Sequence, residues 1–453
     1  MNARIIASRT FSYITREKDI EQANGGFFDV LIIGGGITGA GIANILSKNG
    51  ISAILVEKAD FGSGTSQGSS KLIHGGLRYL QEREFRLVRE LLKERNYILS
   101  NVRDSKKIKF NILIGESTWK KSTIRTGLFL YNLLGGKLKF PEFHKNRGKY
   151  PSEFKGYFEY EDGWCDDSRL VIYNVVSAHE NGAICLNYCE FRSVEKTGEH
   201  YSSAIYDSVG KRSIQVRSRM IINCAGPWAE KIAQMTDTNP SLPFRLSKGV
   251  HITVSRRKFP LDSGIAFMSQ IDKRQMFIIP AGEVLVIGTT DNLVKDSEDF
   301  NPSSEDIDYI IRSAKQVLPE LDLKDVLASY AGLRPLIGDS DDPGKIPRDF
   351  VIKTEGYIIN VFGGKLTNYR AASRKVARIV SMKFGLKFHI KGQPEISYQR
   401  PETADRFINE IRYECAVFPE DIMRRREAFR IYREDLGKSE EKAVNEAFRE
   451  IKR

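Results

Sequence analysis

The hydrophobic pattern near the start of the chain predicts a strand, a turn, a helix and a second strand in succession. Residues 28–33 read FDVLII, an apolar and β-branched run that is typical of a buried parallel strand. Glycines follow at 34–36, and the small and aliphatic residues of 40–46 predict a helix that packs closely on the sheet. A second apolar run at 53–56 ends at Glu57. We therefore expect a parallel α/β unit here.

Two kinds of sheet are predicted further along the chain. Apolar strands near 220 and 358 fit the parallel sheet of the first unit, whereas HITVS (251–255), FIIP (277–280) and VLVIG (284–288) predict antiparallel strands. From about residue 386 onward the sequence is charged, with apolar residues at helical spacing. Because 453 residues exceed what one core usually serves, we expect an α/β protein, α+β overall, with at least two domains.

The glycine turn carries the first candidate chemistry. Gly34, Gly36 and Gly39 satisfy G-x-G-x-x-G, in which the glycines permit a tight turn, backbone approach to a pyrophosphate and close helix packing. Glu57 ends the second strand, where it would accept hydrogen bonds from adenosine ribose hydroxyls. The unit predicts dinucleotide binding but does not distinguish FAD from NAD.

A second segment favours FAD over NAD, because it resembles a family of flavin enzymes. GTSQGSSKLIHGGLRYL (64–80) and GGGITGAG (34–41) closely resemble the flavin-dependent glycerol-3-phosphate dehydrogenases. The similarity continues in order through DGWCDDSRLV (162–171), INCAGPWA (222–229), SKGVHITV (247–254), IGTTD (287–291), YAGLRPL (330–336) and FGGKLTNYR (362–370). It covers about 28–375 and implies an FAD cofactor.

The resemblance also implies a domain plan. It implies a Rossmann-like FAD-binding domain of the glutathione-reductase/D-amino-acid-oxidase type, formed by 25–80, 156–238 and 329–385. Residues 81–155 and 239–328 would form an antiparallel-sheet substrate or cap domain. Residues 386–453 would form a small C-terminal helical appendage.

The implied reaction is oxidation of sn-glycerol 3-phosphate to dihydroxyacetone phosphate, with a hydride passing from C2 to flavin N5. By resemblance, Arg334 would lie beside the flavin and the substrate, and His251 would be the general base, with His74 as the alternative base. The expected substrate-binding residues are Arg78, Tyr79, Asp272, Arg274, Arg348 and Lys365. The expected FAD-binding residues are Gly34, Gly36, Gly39, Glu57, Thr65, Ser66, Ser70, Lys71, Gly75, Ala225, Gly226, Trp228, Gly364, Lys365, Leu366 and Thr367.

Some segments depart from the family pattern. The first helix has Asn44 and then Asn49 where other residue types are usual, and Asn368 and Ser373 are unusual in the lysine motif. Residues 106–118, KKIKFNILIGEST, lack the usual proline-rich, histidine-containing pattern. These differences bear on the substrate pocket and on the subfamily.

Composition limits the classes of partner. The net charge of +12 favours an anionic partner, such as a phosphorylated substrate or an anionic lipid surface, and we expect no nucleic-acid partner because no matching motif occurs. The five scattered cysteines predict reduced thiols and no metal site. No apolar run is long enough to span a bilayer, and residues 1–24 lack a secretory signal pattern.

We therefore expect a cytoplasmic protein, with a quinone acceptor placing it at the cytoplasmic face of a membrane. The C-terminal cluster Arg424-Arg425-Arg426 predicts either a basic face on anionic lipid or an exposed, solvated helix. A homo-oligomer is compatible with the sequence. Two alternatives keep the flavin: a glycerol-3-phosphate oxidase that reduces O2 to H2O2, and an amine or amino-acid oxidase.

Overall fold

The computed structural model describes residues 10–80, 82–115, 118–239, 241–393, 395–401 and 405–451. The helices within these ranges are α1 (Arg16–Ala23), α2 (Ile37–Lys48), α3 (Phe85–Asn101), α4 (Thr118–Leu134), α5 (Asp167–Glu180), α6 (Ala229–Met235), α7 (Ser304–Ala314), α8 (Tyr369–Phe384), α9 (Arg406–Tyr413), α10 (Pro419–Asp421), α11 (Phe429–Tyr432) and α12 (Glu441–Ile451). The strands are β1 (Phe27–Ile33), β2 (Ala53–Val56), β3 (Leu72–Ile73), β4 (Ser105–Ile114), β5 (Phe143–Lys145), β6 (Gly156–Cys165), β7 (Ile184–Leu186), β8 (Cys189–Thr197), β9 (His200–Asp207), β10 (Arg212–Asn223), β11 (Phe244–Ser255), β12 (Gly264–Met268), β13 (Gln275–Ala281), β14 (Val284–Gly288), β15 (Asn292–Val294), β16 (Val326–Ile337), β17 (Phe350–Glu355) and β18 (Ile358–Gly363).

The first sheet is built on a parallel core. Its strand order is β17-β18-β10-β1-β2-β7, parallel from β18 to β7, with β17 antiparallel at one edge. The β8–β9 hairpin joins it through β9 and β10. The strands predicted near 28, 53, 220 and 358 are thus confirmed as β1, β2, β10 and β18.

Both faces of this sheet are covered, which explains its uninterrupted apolar strands. Val30 and Ile32 face a core shared with α2, α5 and α8. Leu31 and Ile33 alternate to the opposite face, where they pack with residues of α1 and of the β8–β9 hairpin.

The second sheet is mostly antiparallel and forms the other wall of the site. Its order is β15-β11-β14-β13-β12-β4-β6-β3, with β16 paired to β11 and β5 to β6. The antiparallel strands predicted at 251–255, 277–280 and 284–288 are confirmed within β11, β13 and β14. The strands β3, β6 and β16 also belong to this sheet, although they come from segments that the resemblance assigns to FAD binding.

The C-terminal helices form a small core of their own and also pack against the rest of the protein. Ile411, Ile422, Met423, Phe429 and Phe448 belong to that separate core, whereas Val417 belongs to the core of the first sheet and Ile431 to that of the second. The predicted small C-terminal helical region is thus present, but two arginines of the cluster expected to form a basic surface are buried.

Arg425 and Arg426 are buried at 6% and 1% exposure. Both pair with Asp60, in the loop after β2, because a buried carboxylate compensates the cost of burying guanidinium groups. The expectation that these two arginines face lipid or solvent was therefore wrong.

The cysteines at 165, 185, 189, 224 and 415 are all buried free thiols. Among the helices of the described ranges, none is both long and apolar enough to cross a membrane.

Candidate active site

A cavity of about 630 Å³ is lined by residues of both sheets. Most of the residues that we expected to bind cofactor or substrate line it. They are Gly34, Gly36, Glu57, Thr65, Ser66, Ser70, His74, Tyr79, Ala225, Gly226, Trp228, Arg334, Arg348, Gly364, Lys365, Leu366 and Thr367.

The glycine turn after β1 forms one end of the cavity. Gly34 has a φ of +106°, and a Cβ there would lie 2.5 Å from the carbonyl oxygen of Cys224, so the position requires glycine. A Cβ on Gly39, which is behind the turn, would collide with the Gly34 carbonyl oxygen, as expected for close packing of α2 on the strand. The Glu57 carboxylate accepts hydrogen bonds from the amides of Gly35 (2.7 Å) and Ala59 (3.0 Å), which fixes the turn beside the cavity.

The 64–71 loop lies against β16. Thr65 Oγ1 donates to the carbonyl of Leu333 (2.5 Å), and a Cβ on Gly332 would lie 2.7 Å from the Gly68 carbonyl oxygen. The Lys71 ammonium does not line the cavity. It is buried, where it pairs with Asp167 and donates to the Gln67 carbonyl (2.9 Å), so it supports the loop from behind.

Asp291 organises two arginines at the edge of the cavity. It pairs with Arg334 Nη1 (3.1 Å) and with Arg348 Nη2, while Arg334 Nη2 donates to Thr289 Oγ1 (3.0 Å). A Cβ on Gly249 would lie within 2.5 Å of Arg334 Nη1, so this glycine makes room for the guanidinium. Burial alone would raise the pKa of Asp291, but the charges of Arg334 and Arg348 lower it.

The two candidate histidines differ in position. His74 lines the cavity. His251 is buried behind it, with Nε2 2.8 Å from Ser70 Oγ and its ring stacked on Tyr330. Burial lowers the pKa of His251 to about 3, helped by the charges of Arg334 and Lys71. Burial also lowers the pKa of His74, although Asp162 opposes that shift.

Lys365 presents a buried positive charge to the cavity. Its ammonium lies 4.0 Å from the ring centroid of Tyr79 and has no hydrogen-bond partner within the described part of the chain. Burial lowers its pKa to about 8, against the attraction of Asp349 and with the repulsion of Arg348. A buried ammonium without a partner is costly unless an anionic ligand completes the site.

These features fit FAD. The volume is within the range of cofactor sites, the glycine turn leads into the N-terminus of α2, where a pyrophosphate is favoured, and Lys365 offers an ammonium without a hydrogen-bond partner among the described residues. The glycine turn, Glu57 and the 64–70 loop would hold the cofactor.

Comparison with known proteins decides the family. The chain matches the model of the FAD dependent oxidoreductase family over residues 29–366. The chain belongs to this family. It is therefore an FAD-dependent oxidoreductase, and the expected cofactor and fold class are confirmed.

Individual relatives agree with this assignment. The oxidoreductase is 37% identical over 365 residues to D-erythritol 1-phosphate dehydrogenase of Brucella abortus. The aligned region covers 77% of this chain and 72% of that protein. It is 34% identical over 384 residues to aerobic glycerol-3-phosphate dehydrogenase of Staphylococcus epidermidis, at 80% and 69% coverage. The structure of glycerol-3-phosphate dehydrogenase from Bacillus halodurans complexed with FAD has a TM-score of 0.77 at 25% identity, covering 98% and 94% of the two chains.

Several expected site residues of the oxidoreductase lie outside the cavity lining: Gly39, Lys71, Gly75, Arg78, His251, Asp272 and Arg274. Arg78 donates to the carbonyl of Gly344 (2.6 Å). Asp272 and Arg274 pair with each other at 3.3 Å on the turn before β13. Burial lowers the pKa of Arg334, and the charges of Arg348 and Arg274 add to that shift. The Arg274 charge also helps to lower the pKa of Asp291, after the larger effects of Arg334 and Arg348.

Sequence reasoning missed the carboxylates that support this oxidoreductase's site. Asp291, Asp167 and Asp162 respectively anchor Arg334, Lys71 and the Gly75 amide (3.3 Å). Asp162 also pairs with Arg95 (3.1 Å) and accepts from the Tyr131 hydroxyl (2.7 Å). Their only sequence signal is that they lie inside the matched segments IGTTD and DGWCDDSRLV.

The atypical residues have structural partners. Asn44 is buried and donates to Asn174 (3.1 Å), while the Asn49 side chain accepts from the amide of His389 (2.6 Å). The side chain of Asn368 accepts from the Lys365 amide (2.9 Å) and donates to Asp349 (3.1 Å), so it shapes the turn that presents the lysine.

Proposed function

We propose that this flavoenzyme oxidises sn-glycerol 3-phosphate to dihydroxyacetone phosphate. The observation that supports this most is the set of cations Arg334, Arg348 and Lys365 on one cavity that also exposes His74. FAD, when bound, supplies the acceptor for the C2 hydride. The chain's own residues must then bind the phosphate, orient C2 and accept the hydroxyl proton.

The phosphate dianion is assigned to Arg348 and Lys365, with Tyr79 beside Lys365 as a neutral donor. Arginine and lysine suit a phosphate because one provides paired donors and the other a concentrated charge. Arg78 and Arg274, which stand outside the lining, add positive potential. Arg334 is assigned to the C2 oxygen because Asp291 and Thr289 fix its guanidinium.

We assign the general base to His74. It lines the cavity, and its lowered pKa keeps the imidazole neutral at pH 7 and able to accept a proton. His251, with a pKa of about 3 and a hydrogen bond to Ser70, is assigned a positioning role through the Ser70 hydroxyl.

A second candidate substrate is a four-carbon polyol phosphate. The relative with 37% identity is named D-erythritol 1-phosphate dehydrogenase, and both polyol phosphates present a hydroxyl group near a phosphate. The two candidates therefore share the cation cluster and differ in the length of the carbon chain.

Product analysis tests the reaction. The holoenzyme is incubated with sn-glycerol 3-phosphate and an artificial electron acceptor, and dihydroxyacetone phosphate is quantified. One product per two electrons transferred is expected. The controls are glycerol, which lacks the phosphate, and sn-glycerol 1-phosphate, which reverses the configuration at C2. Equal rates with glycerol would contradict the proposed role of the cations.

We further propose a membrane quinone as the acceptor. Leu133, Leu138 and Phe140 are exposed at 50%, 79% and 63%, with Lys137 and Lys139 interleaved at the end of α4. Exposed apolar side chains among lysines favour binding to an anionic bilayer. The wild-type protein should sediment with anionic vesicles but not with zwitterionic vesicles. The double variant Leu138→Glu/Phe140→Glu should not sediment with anionic vesicles.

Rapid turnover with O2 and stoichiometric H2O2 would instead indicate the oxidase.

A further inference from the structure

One face of the second sheet contributes Phe277 to the wall of the cavity. His251, Gly288 and Phe277 are directly opposite one another on β11, β14 and β13, so they share one face of the sheet. Gly249 and Gly288 have no side chains, and the spaces beside them are taken by the Arg334 guanidinium and the His251 ring. The aromatic ring of Phe277 is the next large side chain on this face of the sheet.

Phe277 borders the cavity directly. Its side chain lines it and is only partly buried. Arg334, assigned to the C2 oxygen, and His74, assigned as the base, line the same cavity. Phe277 therefore belongs to the wall of the cavity in which the substrate is proposed to bind.

Phe110 holds this ring in place. The two rings meet edge to face, with centroids 5.8 Å apart and an interplanar angle of 78°, and Phe110 is fully buried. A Cβ on Gly264 would lie 2.5 Å from Phe110 Cε1, so glycine makes the space for this ring. Tyr160 stacks on its other side at 5.5 Å. Phe110 belongs to 106–118, the segment that departs from the family pattern.

We infer that Phe277, supported by Phe110, is the wall that limits the polyol chain to three carbons. This inference rests on the proposed function. A phenyl ring offers no hydrogen bond, so an added CHOH group would meet steric conflict or lose the hydrogen bonds that water gave its hydroxyl. The atypical segment would then act on substrate choice through Phe110, without reaching the cavity itself.

The ratio of kcat/KM for sn-glycerol 3-phosphate to kcat/KM for D-erythritol 1-phosphate tests this wall. The wild-type holoenzyme should favour the three-carbon substrate by about tenfold or more. Phe277→Leu should reduce that ratio by about tenfold. Phe110→Leu, which loosens the support without touching substrate, should shift the ratio in the same direction but less.

Phe267→Leu is the matched control. It removes the same atoms from the neighbouring strand β12, but Phe267 packs in the core on the other side of the sheet. Its ratio should equal that of the wild type. Phe277→Met keeps an apolar side chain of similar reach and serves as a second variant if the leucine variant fails to retain FAD.

The outcomes distinguish a failure of this inference from a failure of the proposed function. A wild type that prefers the four-carbon substrate, or a Phe277 variant whose ratio matches the Phe267 control, would overturn the inference while leaving polyol phosphate oxidation intact. If neither polyol phosphate reduces the wild-type enzyme, the proposed function fails and the inference fails with it.

Discussion

The Nε2 atom of His251 lies 2.8 Å from the hydroxyl oxygen of Ser70, and only the serine reaches the cavity. The other ring nitrogen of His251, Nδ1, is buried without a partner among the described residues. This geometry suits a neutral imidazole that orients a hydroxyl group. It leaves His74 as the histidine in contact with the cavity.

The two histidines are predicted to differ in their pH–rate profiles. The rate of flavin reduction should fall only at acidic pH as His74 gains a proton, because burial lowers the pKa of His74 and a protonated base cannot accept another proton. His74→Asn should lower the rate by about 100-fold or more and remove this acid limb. His251→Gln should lower the rate less and keep the limb. Stopped-flow reduction across pH 5–9 provides the measurement, and loss of the limb in the His251 variant would reverse the assignment.

The sequence predicted the residues at the cofactor end of the cavity better than the carboxylates that hold the charged side chains in place. The strand, glycine turn and acidic residue at 28–57 are local, so their spacing alone indicated dinucleotide binding. Asp291 meets Arg334 only because β15, which follows Asp291, and β16 both pair with β11, and Asp60 meets Arg426 across 366 positions. Such long-range ion pairs depend on tertiary packing and have no local pattern.

The burial of Arg425 and Arg426 is a second example of a feature that the local sequence does not predict. A run of three arginines usually indicates a solvated face, and only a buried carboxylate elsewhere in the fold reverses that expectation. The roles of His74 and His251 were also open from sequence, because both lie in matched motifs and only burial separates them.

Asp291 is predicted to control catalysis without contacting FAD. Asp291→Asn should lower the rate of flavin reduction by about 100-fold, because Arg334 and Arg348 lose their shared carboxylate and shift position. Asp262→Asn, at a fully exposed side chain, is the control and should match the wild type. Bound FAD, measured by absorbance, should remain stoichiometric in both. A catalytically normal Asp291→Asn enzyme would exclude this anchoring role.

Lys365 is predicted to make substrate binding weaken at high pH. Its pKa of about 8 in the free site means that the ammonium loses its proton above that pH, and its charge is then no longer available to a phosphate. KM should therefore rise above about pH 8 in the wild type, while Lys365→Arg should shift this rise to higher pH. Lys365→Met should have a high, flat KM. The exposed Lys375→Met serves as the control and should keep the wild-type profile.

Asp60, in the loop after β2 of the first sheet, is predicted to hold the C-terminal helices on that sheet. Burial alone would raise its pKa, but Arg426 and Arg425 lower it to about 2. The carboxylate therefore contributes stability that is fully present above its unfolded pKa near 3.8 and is lost as pH falls toward about 2. Asp60→Asn should cost roughly 3–5 kcal/mol at pH 7, because two buried guanidinium groups lose their charged partner.

Denaturant unfolding checks this prediction. The control is Asp435→Asn, where hydrogen bonds from Ser439 and Gly437 near the surface also lower the pKa to about 2. That variant should lose less than about 1 kcal/mol. Equal losses in the two variants would show that the Asp60 cluster is not the structural link proposed.

The most direct test is the visible spectrum of the purified holoenzyme before and after anaerobic addition of sn-glycerol 3-phosphate. The proposed function predicts that the oxidised flavin band bleaches within the turnover time and that dihydroxyacetone phosphate forms in equal amount. A flavin that stays oxidised with this substrate, under conditions where dithionite reduces it, would contradict the proposed function.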